Sequence, residues 1–397
     1  MTNAMDTVSR QGAPRGEGER IVLLDVLRGI AILGTLGTNI WIFTDPRGIV
    51  GMLVGDREGG VAEVVLRFLA NGKFLAMLTL LFGVGLEIQR ASAARRGKRW
   101  PGWYLWRMAL LFLDGVLHYV LVVEFDVLMG YAVTGLVVSY LALTSDRAQR
   151  WWMVAAAVNH LALMGLMTVG VGAAGAGAGR SEQFTLYTGG SYLDQIVFRL
   201  QHAGVFRAEA IFTIPLAVTL FLLGARLYRA GAFAPGERGA VLRRRLMIVG
   251  LGVGVPLNLA TALLGDPSLV FVDRYVLPPV VALGYVGLIG WWVYRRPGRS
   301  WLRARFAAVG RMALTCYMLQ NLLGAVLCYG WGLGLAAALV EYRPLWTPFA
   351  WLGISVVLVV FSELWQRRFR QGPIEAAWRW AVQAPQRSRD RSRQVTA

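Results

Sequence analysis

The sequence predicts an all-α fold: a polytopic transmembrane helical bundle of about ten spans, with N- and C-termini both on the cytoplasmic side. Three observations predict it. Of 397 residues, 56% are hydrophobic and 16% charged, where an ordinary soluble domain carries about 25% charged residues. The apolar residues fall in blocks of about 20, the length a helix needs to cross a bilayer with its backbone satisfied internally. Lys and Arg gather in alternate loops between those blocks, as the positive-inside rule requires. That placement also explains the net charge of +18 without nucleic acid, which is excluded as a partner. Glycine is abundant, with 47 residues, and small residues let membrane helices approach closely.

Taken in order, residues 1–20 read as a basic cytoplasmic segment. The apolar run behind them is too long for a signal-peptide core and lacks a small-residue cleavage pattern, so no cleavable signal is expected. The first span, about 22–44, contains Leu24 to Phe43, with Asp25 and Arg28 near its start and Asn39 near its end. A loop with Asp45, Pro46, Asp56, Arg57 and Glu58 leads to an amphipathic segment at 61–71 and a second span at about 73–91. After the basic loop RASAARRGKRW come spans at about 104–123 and 126–144, almost without a connection. The fifth span is about 151–171, and a Gly/Ala-rich then polar irregular loop covers 172–190. An amphipathic stretch at 191–205 precedes the sixth span, about 207–228. A basic loop at 226–245 leads to the seventh span, about 246–265 with Pro256, and the eighth, about 269–294 with Pro278 and Pro279. After YRRPGRSWLRAR come the ninth span at about 311–329, a glycine-rich re-entrant or loop segment at 330–345, and the tenth span at about 347–365. Residues 21–382 form one transmembrane domain, and 383–397 read as a basic disordered tail.

With ten spans, all the basic loops fall on one side, which the positive-inside rule makes the cytoplasm. Asp25 and Arg28 then lie near the inner end of the first span. Asn39, His118, Glu124, Asp126, Glu209, Asn258, Asp273, Arg274, Gln320 and Asn321 lie in the outer half, where they can converge on an outward-facing cavity. Ionisable groups inside a membrane are costly and mark a site by default. Asp25 with Arg28 at i,i+3 is equally well an ion pair that pins the helix. Glu87 and Glu363, near the inner ends, are expected to pair with loop arginines.

His118 is the most informative of the three histidines. Asp114 lies one turn before it on the same face, and Asp126 lies across the turn. A carboxylate on one imidazole nitrogen leaves the other free as a base; the structural reading is a polar network locking the third and fourth spans. His160 reads as structural and His202 as interfacial. Cys316 and Cys328 read as inert small residues rather than a disulfide or metal site. No phosphate loop, His-Glu-x-x-His or Cys-x-x-Cys motif is present, no metal is expected, and no inverted repeat is visible. The Arg/Trp-rich loop from Arg90 to Arg107 can hold an anionic cytoplasmic ligand of nucleotide-phosphate type or rest on anionic lipid headgroups.

Four segments in order resemble one family. RIVLLDVLRGIAILGTLGTNI, KFLAMLTLLFGVGLEIQ, GVLHYVLVVEFDVLMGYAVTGLV, and GRMALTCYMLQNLLGAVLCYGWGLGL followed by QGPIEAAWRW are similar to the motifs of the YeiB-like bacterial integral membrane proteins. That family is catalogued as domain of unknown function number four hundred and eighteen, and its C-terminal signature would cover about 225–382. Asp25, Arg28, Gly29, Asn39, His118, Asp126, Gln320 and Tyr329 match its polar pattern. Asp114 and Asn321 stand where uncharged or small residues are expected, and Cys316 replaces a frequent Asn. The Leu-Asp-x-x-Arg-Gly opening more distantly resembles transmembrane acyltransferases, in which a membrane-embedded histidine acts on an acyl group from cytoplasmic acyl-CoA.

The resemblance implies an acyltransferase-like membrane protein in the bacterial cytoplasmic (inner) membrane. It would move an acyl group from acyl-CoA, a co-substrate rather than a covalently bound cofactor, to a small-molecule acceptor in the outward cavity. His118 would be the base, oriented by Asp126 or Asp114. Asn39, Arg28, Asp25, Gln320, Asp273 and Arg274 would bind substrate or donor. A transporter or exporter of a small solute and a non-catalytic lipid-binding protein are the alternatives. Membrane lipids are expected partners, and the glycine-rich faces permit a homodimer.

Overall fold

The computed structural model describes residues 21–49, 51, 60–174, 185–295 and 300–395. The expected N-terminal segment 1–20 and Asp56, Arg57 and Glu58 lie outside the described residues. Among those described the chain is all helix, without a strand. Eight helices are long and apolar enough to cross a membrane, which makes this a multi-pass membrane protein.

Helix α1 (Val22–Phe43) is proline-free and stops at Thr44, whose N–H bonds to the Ile40 carbonyl at 2.9 Å, just before Asp45-Pro46. It is the centre of the bundle: its apolar window is 78% buried, against 11% for the span Asp146–Gly170. α2 (Gly60–Ala70) turns at Asn71-Gly72 into α3 (Lys73–Arg95), with Gly72 at φ +71°. α4 (Trp103–Leu121) and α5 (Leu128–Leu141) form a hairpin. α6 (Asp146–Ala174) is peripheral. The amphipathic stretch forms α7 (Leu186–Gly189), α8 (Tyr192–Gln201) and α9 (Ala203–Ala208), and α10 (Ala210–Arg229) carries Pro215 inside it.

Two loops expected from their basic composition are helical. α11 (Glu237–Val249) runs through a π-turn at Gly250–Gly254 into α12 (Val255–Leu264), with Pro256 in its first turn. Buried Arg243 explains the first: its Nη1 donates to the Ala232 and Ala234 carbonyls at 2.8 Å each. A second π-turn, Val272–Val276, precedes α13 (Leu277–Arg295). α14 (Trp301–Arg311) and α15 (Ala313–Cys328) then meet at 87°. α14 packs tightly on α1 because Gly29 and Gly310 oppose each other. A Cβ on Gly29 would strike the Phe306 carbonyl, and one on Gly310 the Asp25 carbonyl. After the short α16 (Leu335–Ala338) come α17 (Arg343–Arg368) and α18 (Pro373–Val395). α18 continues past Gln383, where the sequence predicts a disordered tail.

The ten expected spans correspond to the eight long helices, the bent pair α14–α15, and α5, which has only 14 residues. α1 is flanked by α3, α14, α15 and α17, and α10 lies against α3, α5 and α6. Asp25, Arg28, Arg107 and the C-terminal helix mark a basic end of the bundle; Asn39, His118 and Asp126 mark the far end.

Candidate functional site

Two cavities flank α1. The far-end cavity, about 340 Å³, is lined by Thr35, Thr38 and Asn39 of α1 and by Asp126, Arg207, Glu209 and Arg274. The basic-end cavity, about 650 Å³, is lined by Arg28 and Ile32 of α1 and by Arg107, Arg311, Arg370 and Arg379. Val127, Tyr131 and Tyr317 line both and form the partition between them.

The far-end site grows from the α4–α5 hairpin. His118 occupies the last turn of α4, and the turn after it carries Glu124 and Asp126. Gly115, three residues before His118, clears the space: a Cβ there would lie 2.6 Å from Met129 N and 3.0 Å from Asp126 Oδ2. Asp126 therefore sits against α4. Its Oδ1 lies 2.9 Å from His118 Nδ1, and its Oδ2 accepts the Met129 N–H at 3.2 Å. His118 Nε2 faces the Asn321 amide nitrogen at 3.3 Å, and Asn321 Oδ1 accepts from Asn39 Nδ2 at 3.1 Å. The result is a buried chain Asp126–His118–Asn321–Asn39. Only its two end residues line the cavity, Asp126 through its backbone because its carboxylate is fully buried; His118 and Asn321 stand behind them. With Asp126 as acceptor, the imidazole carries its proton on Nδ1 and takes the Asn321 N–H on Nε2.

Asp126 is therefore the partner of His118. Asp114 shares its face with His118, but both ring nitrogens are occupied by other groups, and Asp114 Oδ2 has no hydrogen-bond partner. The turn is clamped from above by Arg207, which donates to the Asp126 carbonyl at 3.0 Å and to the Glu124 carbonyl while its guanidinium lies 4.4 Å from the Tyr119 ring centroid. Glu124 accepts the Tyr187 hydroxyl at 2.6 Å and Arg199 Nε at 3.4 Å. Burial and the Glu124 carboxylate hold the Tyr187 phenol well above its ordinary pKa.

Of the other expected residues, Arg274 lines the far-end cavity and bonds Tyr275 Oη at 2.9 Å, and Tyr275 in turn donates to Glu209 at 2.6 Å. Asp273, its neighbour in the π-turn, is turned instead to Asn258 at 3.3 Å and to Thr261. Gln320 is fully buried with neither amide atom bonded, and it lines neither cavity. The buried Tyr329 hydroxyl is likewise unbonded. His160 bridges the Phe212 and Tyr275 carbonyls at 2.9 and 3.0 Å, a structural role. His202 bonds only its own helix, at the Phe198 carbonyl. Glu87 pairs with Arg90 and Arg229, and Glu363 with Arg305. Both cysteines are free and buried.

At the basic end, Asp25 lies 3.5 Å from Arg28, and Arg311 Nε donates to Gln366 at 2.6 Å. Arg107, Arg370 and Arg379 make no hydrogen bond or ion pair among the described residues. The Arg107 guanidinium lies 4.6 Å from the Trp378 ring centroid. α18 closes this cavity. Its Glu375 anchors it by accepting Leu314 N at 2.8 Å, Thr315 N at 3.1 Å and Thr315 Oγ1 at 2.5 Å, which satisfies the N-terminus of α15. The sequence reading omits Arg207, Tyr131, Tyr317, Trp378 and Arg379 from the site. Only the basic loop ending at Arg107 and the QGPIEAAWRW motif hint at the last two.

The chain is similar to two curated proteins over nearly its whole length. It is 27% identical to "Uncharacterized protein YxaH" of Bacillus subtilis (strain 168), covering 93% of this chain and 96% of that protein. It is 31% identical to "Uncharacterized protein YeiB" of Escherichia coli (strain K12), covering 91% of this chain and 96% of that protein. A family model described as "Protein of unknown function (DUF418)" matches residues 227–385. No solved structure matches. The polar chain on α1, α4 and α15 and the helical bundle around it are thus those of a relative of YeiB, and the protein belongs to the YeiB-like DUF418 family of membrane proteins.

Proposed function

We propose that the protein is a transmembrane acyltransferase of the bacterial cytoplasmic membrane, with ten spans and its basic end in the cytoplasm. An acyl group arrives at the basic-end cavity on a phosphorylated thiol carrier of the acyl-CoA type. It passes the partition at Tyr131 and Tyr317 and is transferred to an acceptor hydroxyl or amine in the far-end cavity. The observation that carries this reading is the shared partition: a basic chamber and a charge-balanced one meet at three residues, beside the ring of His118, whose centroid is 5.2 Å from that of Tyr317.

The unpaired guanidiniums of Arg107, Arg370 and Arg379 suit the carrier's phosphates, and Trp378 lines the same chamber as a stacking face. Asp126 contributes backbone to the wall of the acceptor chamber, with its carboxylate buried directly behind that wall. In the transfer step the acceptor oxygen attacks the thioester carbonyl, a C–O bond forms, the C–S bond breaks, and the thiol leaves with a proton. The acceptor's own proton goes to the Asp126–His118 pair, which passes it on to the departing sulfur, so the pair ends as it began. His118 thus acts through Asp126 rather than by direct contact.

The same thin partition also fits a transporter alternating between its two chambers. The experiment that separates the readings incubates the full chain in nanodiscs with labelled acyl-CoA. Transfer requires binding at the basic-end cavity and loss of the acyl label from the carrier. A transporter leaves the carrier intact and moves an unchanged solute in liposomes, and that outcome refutes the acyltransferase.

A further inference from the structure

Resting on the reading of the far-end cavity as the acceptor chamber, we infer that the acceptor is a membrane amphiphile, a neutral or zwitterionic hydroxyl-bearing lipid that enters sideways from the bilayer between the α4–α5 hairpin and α10. One wall of the cavity is continuous with the outer surface of the bundle. Phe112 of α4 lines the cavity and is 43% exposed, next to exposed Leu113 and Leu117. On α5, Gly130 and Val133 line the cavity and sit on the same stripe as exposed Val137. A Cβ at Gly130 would meet nothing within 4 Å. Opposite them, Ile214 of α10 lines the cavity one turn from Ile211, which is 69% exposed. Pro215 removes a helix hydrogen bond in this same turn.

The polar groups stand at the back and top of the chamber, not at this rim. α9 crosses the far-end mouth, with Phe206 and Arg207 both in the cavity lining and Arg207 bonded to the Glu124 and Asp126 carbonyls. The direct route from water is therefore narrowed while the route from lipid is lined by apolar side chains. Asp126 and Glu209 balance Arg207 and Arg274 in formal charge. Such a chamber favours a headgroup of zero net charge over a strongly anionic one. Its tails would stay outside, against Phe112, Val133 and Ile214.

The test uses the full chain in phosphatidylcholine vesicles with a photoactivatable diacylglycerol, and no acyl donor. Labelling is expected to concentrate at Phe112, Val133 and Ile214 over general lipid-facing positions such as Val158 and Leu161. Gly130→Phe fills the open space at the rim and should lower labelling there at least about tenfold. Nucleotide-carrier binding at the basic-end cavity should be unchanged in that variant, which also reports an intact fold. Equal labelling of all lipid-facing helices, or unchanged labelling in Gly130→Phe, overturns the lateral route. So does preferential labelling of the chamber by a water-soluble photoactivatable glycerol. Labelling needs no chemistry, so the two ideas fail separately. Portal labelling without transfer to any hydroxyl would remove the acyltransferase and leave the lipid site. Transfer to a soluble alcohol without portal labelling would do the reverse.

Discussion

Asp126→Asn separates chemistry from packing at the far-end site. The substitution keeps the side chain's volume and an oxygen for the Met129 N–H, now 3.2 Å away. The new amide nitrogen faces His118 Nδ1, across the present 2.9 Å contact. The imidazole then moves its proton to Nε2, and Asn321 and Asn39 rotate to accept it. Every hydrogen bond of the chain survives, so the stability cost should be about 1 kcal/mol, the net worth of one hydrogen bond. What disappears is the negative charge buried behind the cavity wall. A positioned base supplies about 10²- to 10⁴-fold, or about 3–5 kcal/mol at roughly 1.4 kcal/mol per decade. Acyl transfer from labelled acyl-CoA should fall by that factor, with donor KM unchanged because Asp126 does not line the basic-end cavity. Transfer within about threefold of the wild type, roughly thirty times more than even a 10²-fold contribution allows, would refute the assigned role. His118→Ala is a poorer probe. It takes one hydrogen bond each from buried Asp126 and Asn321, a cost of about 1–3 kcal/mol per group, so its activity loss mixes chemistry with unfolding.

Other predictions follow from individual contacts. Gly115→Ala should destabilise by about 1–3 kcal/mol and displace the Asp126 carboxylate, read as a lowered thermal midpoint together with reduced transfer. Gly310→Ala, whose methyl meets the Asp25 carbonyl, should cost a similar amount, about 1–3 kcal/mol, without moving the far-end site; unaltered stability would mean that α1 and α14 are less closely packed than described. Glu375→Ala removes three hydrogen bonds from the α15 N-terminus and should free α18 for limited proteolysis at low protease, while an uncut α18 would contradict its anchoring role. Arg107→Ala should weaken carrier binding about tenfold through its lost charge and its stacking on Trp378, measured by equilibrium binding in detergent.

The bundle was legible because bilayer thickness forces one simple pattern: apolar blocks separated by basic loops. Composition misleads where a charged segment is helical for tertiary reasons. Glu237–Val249 reads as a loop from its arginines, yet Arg243 turns inward to cap the preceding turn. The basic stretch ending at Arg305 reads as a loop, yet Trp301–Arg311 is helical and Gly310 lets it lie on α1. At the site, helical spacing correctly places Asp114 and His118 on one face but cannot choose between Asp114 and Asp126, because the hairpin turn decides the pairing. The Asn39–Asn321 bond joins residues 282 positions apart, which no local pattern encodes. Gln320 and Asp273 carry the right chemistry at the right depth, but their side chains point elsewhere. Arg28 and Asn39 show what position along a single helix does encode: α1 presents the first to the basic-end cavity and the second to the far-end cavity.

The central claim is that a carrier-bound acyl group meets its acceptor at the Tyr131–Tyr317 partition. A structure of the full chain with a non-hydrolysable acyl-CoA thioether tests it most directly. Phosphate density is expected beside Arg107 and Arg379 under α18, with the thioether sulfur against Tyr317 and the acyl end reaching toward Asp126. Carrier density in the far-end cavity, or a basic-end cavity left empty at saturating ligand, would contradict it.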